Sequence, residues 1–157
     1  MNGDTNLSTT PETDKTKDLS EFIESNQNYY LPIFAKFEAT NQKLSWNWPA
    51  FLFMEWWAGY RKQYWLFVVV LPVDICIGYL PEPFDIISRL CIMIFFGALG
   101  NYLYYRHAVH VLSKFTSLDE DKRQRKIIKL GGTSTIILTI IPILLVLGLV
   151  LLQLGYM

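Results

Sequence analysis

The chain has 157 residues, a formal net charge of zero, 52% hydrophobic residues and 18% charged residues, the last below the roughly 25% of a soluble domain. That length allows one compact unit or two small ones. The balanced charge excludes a generally polyanionic or polycationic chain, and two cysteines exclude a disulfide framework. The composition points to a membrane protein, and it carries no sign of a particular reaction.

Residues 1–17, rich in Thr, Asn, Ser and Asp, read as a disordered tail. With no apolar stretch before residue 19, no cleavable signal peptide is expected. Asp18 followed by Glu21 resembles a capping box that opens a short helix over about 20–25. Asn28 suits the cap of a second helix starting near Tyr29, with Pro32 in its first turn. On that helix Tyr30, Ile33, Phe34 and Phe37 fall on one face. All five tryptophans lie between 46 and 65, as an aromatic belt at a membrane interface would place them. A straight helix from Pro49 to Leu80 would be about 48 Å long and would overshoot a bilayer. A bend near Gly59 is therefore expected, with Pro49–Ala58 lying at the cytoplasmic interface or dipping in as a shallow re-entrant segment. Residues 18–62 form the cytoplasmic and interfacial part in this reading.

Three transmembrane helices are expected in the remaining 63–157, at about 63–80, 84–105 and 134–156. Residues 63–81 and 86–105 carry one charge each, Asp74 and Arg89, and 133–157 carries none; each stretch is near the ~20 residues that cross a hydrocarbon core. Pro81-Glu82-Pro83 makes the first two a hairpin. Six basic residues precede 63 and seven lie in the loop 106–132, while the hairpin tip and the C-terminal tail have none. The bias places the N-terminus and that loop in the cytoplasm and Met157 outside. Asn101–Lys114 extends the second helix past the interface, with Tyr102, Tyr104 and Tyr105 at headgroup level. The run from Asp119 to Lys126 reads as a solvated helix capped by Ser117, acids first and bases after. Gly131-Gly132-Thr133-Ser134 breaks the chain before the last span, Thr133 serving as its N-cap. Pro142 is expected to kink that span mildly, with Thr139 near the freed carbonyl.

Together, in this order, Phe22-Ile23, Asn26, Tyr29-Tyr30, Phe34, Phe37, Ser45, Asn47-Trp48, Ala50-Phe51, Trp56-Trp57 and Tyr60-Arg61-Lys62 resemble a bacterial family of small integral membrane proteins, domain-of-unknown-function family 2628. Gly97-Ala98, Asn101, Tyr104-Tyr105, His107 and Gly131-Gly132-Thr133-Ser134 continue the resemblance, which runs over about 20–135; Trp46, Pro49 and Gln63-Tyr64 depart from it. It implies an inner-membrane location and supplies no reaction.

Asp74 and Arg89 both lie about 10 Å in from the hairpin turn by helical rise. They read as an intramembrane ion pair fixing register, with a proton or ion relay as the alternative. Cys76 and Cys91 differ in depth and read as reduced packing residues. His107 and His110 lack a third ligand, so no metal is expected, and no cofactor either. No nucleophile–base set is visible, and the chain reads as non-enzymatic. Lys122, Arg123, Arg125, Lys126 and Lys129 immediately precede a span and suit anionic lipid headgroups. They lack the aromatic interleaving that nucleic acid would call for. Trp46, Trp48, Trp56, Trp57, Tyr60, Arg61 and Lys62 are the expected face for a partner membrane complex or a second copy. The expected function is that of an all-α accessory or adaptor protein of the membrane, with a small oligomeric channel or transporter built on Asp74 and Arg89 as the alternative.

Overall fold

The computed structural model describes residues 11–155, which form seven α-helices with no strand among them: α1 (Pro11–Ile23), α2 (Gln27–Thr40), α3 (Trp48–Tyr60), α4 (Tyr64–Ile77), α5 (Phe84–Ser113), α6 (Glu120–Leu130) and α7 (Ile136–Gly155). The axis of the molecule is α5, 30 residues and about 45 Å long. Its C-terminal half carries the core, and its N-terminal half pairs with α4.

The core is aromatic. Tyr104, fully buried, lies 5.2 Å from Tyr30, 5.8 Å from Phe34, 6.2 Å from Trp57 and 6.3 Å from Phe22, centre to centre. Such spacings fit edge-to-face aromatic packing. The face expected on the second helix is the one used: Tyr30, Phe34 and Phe37 are buried and Ile33 packs beside them. Close approach of α3 to α5 depends on Gly97 and Gly100. A Cβ at Gly100 would sit 2.8 Å from Ala50 Cβ, and one at Gly97 would sit 2.9 Å from the Trp46 ring.

Several boundaries differ from expectation. Helix α1 begins at Pro11, so 11–17 is helical where a disordered tail was expected, and 1–10 lies outside the described residues. Asp18 and Glu21 do not cap a new helix; they sit late in α1, where they face α6. Helix α2 begins at Gln27, with Asn26, not Asn28, as its left-handed cap. The expected bend falls at 61–63, after Tyr60, where Lys62 has φ 57°. Pro49–Ala58 is two-faced: Ala50, Met54, Glu55, Trp57 and Ala58 are buried, while Leu52 and Phe53 stay exposed. Asn47 caps α3 by accepting from Ala50 N at 2.9 Å, with Pro49 in the first turn. The cap of α6 is Asp119 rather than Ser117. In α7 the Thr139 hydroxyl donates to Thr135 O at 3.0 Å instead of the carbonyl that Pro142 frees.

Two helices, Phe84–Ser113 and Ile136–Gly155, are long and apolar enough to cross a membrane. Helix α4 is equally apolar but has 14 residues where a span over 63–80 was expected; Pro72 lies within it and the chain turns from Gly78 onward. Helix α7 packs chiefly on α3, where Gly59 admits Ile137.

Candidate functional site

Where α3 meets α5, a buried amide pair ties the segment 45–47 to the long helix. Asn47 Nδ2 donates to Asn101 Oδ1 at 2.7 Å, and Asn101 Nδ2 donates to Ser45 Oγ at 3.0 Å and Tyr29 Oη at 3.1 Å. Tyr29 Oη in turn donates to Trp46 O, and the backbone N–H groups of Ser45 and Asn47 donate to Ala98 O and Gly97 O. Both amides are fully buried, and a satisfied buried network of this kind specifies one packing. Trp46 and Trp48 extend outward from it, T-stacked on each other, Trp48 63% exposed.

Around the C-terminus of α3 lies a second constellation. Arg61 is 2% exposed, its guanidinium 4.6 Å from the Tyr30 ring centre, 5.3 Å from Tyr104 and 5.8 Å from Tyr60, within cation–π range. Arg61 Nη1 makes long contacts of 3.4 Å to Ile23 O, Ser25 O and Ser25 Oγ. Beside it opens a cavity of about 310 Å³ walled by α2, α3 and α7. Lys62 donates through Nζ to the carbonyls of Lys129 and Gly131, at the C-terminus of α6. Lysine there complements the helix dipole.

Asp74 and Arg89 are brought together: Arg89 Nη1 lies 2.9 Å from Asp74 Oδ1 and 3.0 Å from Oδ2. A third charged side chain, Glu55, lies within electrostatic reach of both. It is 1% exposed, and its Oε2 has no hydrogen-bond partner. Cys76 and Cys91 are free and exposed on the apolar surface rather than packed.

The basic residues of α6 divide. Arg123 is withdrawn from the surface into an ion pair with Asp18, and Gln124 Nε2 donates to Glu21 Oε1 at 2.9 Å. Burial pushes the Asp18 carboxyl above its ordinary value, against the pull of the Arg123 charge. Lys122, Arg125, Lys126 and Lys129 remain exposed, Lys126 over the Phe115 ring. His107 stacks on Phe22 at 5.9 Å, and no three His, Cys, Asp or Glu side chains gather at metal-binding distance among the described residues.

The expected partner face is likewise divided. Trp46 and Trp48 are exposed, Trp56, Tyr60 and Lys62 are half-buried, and Trp57 and Arg61 are core residues of this chain. Tyr104 is core as well, and Tyr102 and Tyr105 pack on Phe37 rather than standing free. Sequence reasoning missed Glu55, Asn47 and Gln63 as buried polar groups. Asn47 between two tryptophans and Glu55 in an apolar run stand out as lone polar residues, whereas Gln63 follows Arg61-Lys62 and does not.

No curated protein and no solved structure matches the chain. The family model described as "Protein of unknown function (DUF2628)" matches residues 13–110, the stretch that holds α1 through most of α5 and both buried constellations, and the chain belongs to that family.

Proposed function

We propose that the chain is an integral accessory protein of the bacterial inner membrane, non-enzymatic, with its N-terminus in the cytoplasm and its C-terminus outside. The α4–α5 hairpin and α7 form three spans, and α1, α2, α6 and the end of α5 form a cytoplasmic head. The observation that carries this reading is α7. It is 20 residues of almost unbroken aliphatic sequence, packed chiefly on α3, with Ile143, Leu144, Val146, Leu147, Leu151 and Leu154 all exposed. Contiguous apolar surface on this scale marks a membrane or protein contact. Trp46 and Trp48 add an aromatic anchor of the type enriched at interfaces, and Lys122, Arg125, Lys126 and Lys129 supply charge for anionic headgroups.

The test is a photo-crosslinker placed at Leu147 in native membranes. One adduct of defined mass is expected, weakened when Trp46 and Trp48 are both changed to Ala. A chain that crosslinks to lipid alone and purifies as a monomer would end the adaptor reading.

A second reading is favoured by Glu55. A buried acid in the same apolar helix cluster as the Asp74–Arg89 pair suits a proton-handling component of a small oligomeric transporter. Proton or cation flux in liposomes that falls in Glu55→Gln and Asp74→Asn would support it; no flux at any pH or potential excludes it.

A further inference from the structure

Arg61 carries a permanent charge in a place that should not tolerate one unaided. Guanidinium is protonated at all relevant pH and offers five N–H donors in a plane. Among the described residues no carboxylate lies within ion-pair distance of it. Its Nη1 reaches three neutral oxygens, each at 3.4 Å, and its Nε has no acceptor. The Tyr30 and Tyr104 rings attract the cation through their faces, but a ring face does not replace an in-plane acceptor. The Tyr104 hydroxyl lies beside the same guanidinium, but it is a neutral acceptor and not a counter-charge. A buried charge without a counter-charge is strongly unfavourable. A buried guanidinium of this kind calls for an anion.

The cavity supplies room for one. Arg61 lines it together with Tyr30, Phe53, Trp56, Trp57 and Leu138. Its volume, about 310 Å³, is at the lower end of small-molecule sites, which are mostly apolar with a few placed polar groups. No acidic side chain lines it, so an ammonium-bearing headgroup finds no partner. Leu138, at the first turns of α7 and 43% exposed, stands at its edge, on the helix read above as a span.

We propose that this cavity holds one acidic membrane lipid, its phosphate on the Arg61 guanidinium and the root of its apolar chain between Trp56, Phe53 and Leu138. The assignment rests on the membrane reading of the preceding subsection. It accounts for a cation, an unmet donor and an apolar slot in one place, whereas the exposed lysines of α6 account only for diffuse attraction.

The experiment is native mass spectrometry of the full chain, delipidated in mild detergent and then offered equimolar phosphatidylglycerol and phosphatidylethanolamine. One retained phosphatidylglycerol is expected, preferred at least about tenfold. Arg61→Gln should reduce the preference to below about twofold. Because Arg61→Gln also disturbs the core, Leu138→Trp serves as the second variant: it fills the slot, leaves Arg61 and the α6 lysines in place, and should lose the lipid at unchanged melting temperature. Wild-type retention of phosphatidylglycerol by Leu138→Trp would overturn the proposal, and so would displacement of the lipid by millimolar inorganic phosphate. Equal retention of both lipids overturns the lipid site and leaves the membrane reading standing; failure to retain either lipid removes both.

Discussion

At the scale of single residues, the Asp74–Arg89 contact is the one charge pair that the apolar half of the molecule contains among its described residues. Its energetics are asymmetric. In the proposed span, removing one partner leaves the other unpaired in a low-dielectric setting, at a cost of up to about 3–5 kcal/mol by analogy with buried pairs, whereas replacing both removes both desolvation penalties. Asp74→Leu and Arg89→Leu alone are therefore expected to lower the melting temperature and the amount of protein in the membrane, and the double variant to recover most of both. A double variant as poor as the two singles combined would show that each residue answers to another partner. This pairing was legible from two offsets around Pro81 and Pro83, since an antiparallel hairpin fixes depth. Where Glu55 lies relative to that pair was not legible, because depth on α3 depends on how α3 leans on α5, and that is set by Gly97 and Gly100, whose missing side chains carry no pattern of their own.

At the scale of elements, α1 and α6 form a clasp across the chain. Ile127 is fully buried, Gly132 N donates to Phe22 O at 2.7 Å, and a Cβ at Gly131 would meet Phe22 Cα at 2.8 Å. The two glycines were read as a break, and they are one, but the physical reason is this close approach to α1. A capping box was inferred from Asp18 and Glu21 because local pattern knows nothing of α6; both carboxylates serve partners more than a hundred residues away in the chain. The helical face of Tyr30, Phe34 and Phe37 was readable because a 3.6-residue period is local. Asp18 gives the clasp a pH dependence of definite sign. Its folded-state value is raised, chiefly by burial. Its stabilising share is therefore full below the unfolded value and lost as pH rises through the folded one. Asp18→Asn, which keeps an acceptor for Arg123 without the charge, is expected to melt above the wild type at pH 7, with the difference closing as pH falls into the carboxylate range. Thermal scans of both forms across pH 4–7 decide it; a difference that widens on acidification would mean that the Arg123 attraction outweighs burial.

At the scale of the whole molecule, three tryptophans fall near one plane. Trp46 packs on Gly97 and stacks on Trp48. Trp65 stands nine residues before Asp74 and so lies at the level of the residue nine after Arg89, which is Ala98, because the paired helices run antiparallel. Tryptophans sharing a level mark a membrane interface. From that level α5 reaches the hairpin tip in about 20 Å, while α7 extends about 30 Å. In the proposed membrane arrangement the hairpin is the shallower anchor, and its acids Glu82 and Asp85 reach the far headgroups with local thinning of the bilayer making up the difference at modest cost. The consequence is a definite labelling pattern in intact cells. In a variant with Cys76 and Cys91 replaced by Ser, Glu82→Cys should react with a membrane-impermeant maleimide from outside. The native Cys76 and Cys91, though exposed on the chain, should stay unlabelled because lipid covers them. A reporter that works only in the cytoplasm should be silent when fused after Met157. If the reporter is active while Glu82→Cys still labels, α7 returns to the cytoplasm or fails to cross. If Glu82→Cys is protected, the hairpin is re-entrant, α7 alone crosses, and the Asp74–Arg89 pair lies on the deep side of a half-span.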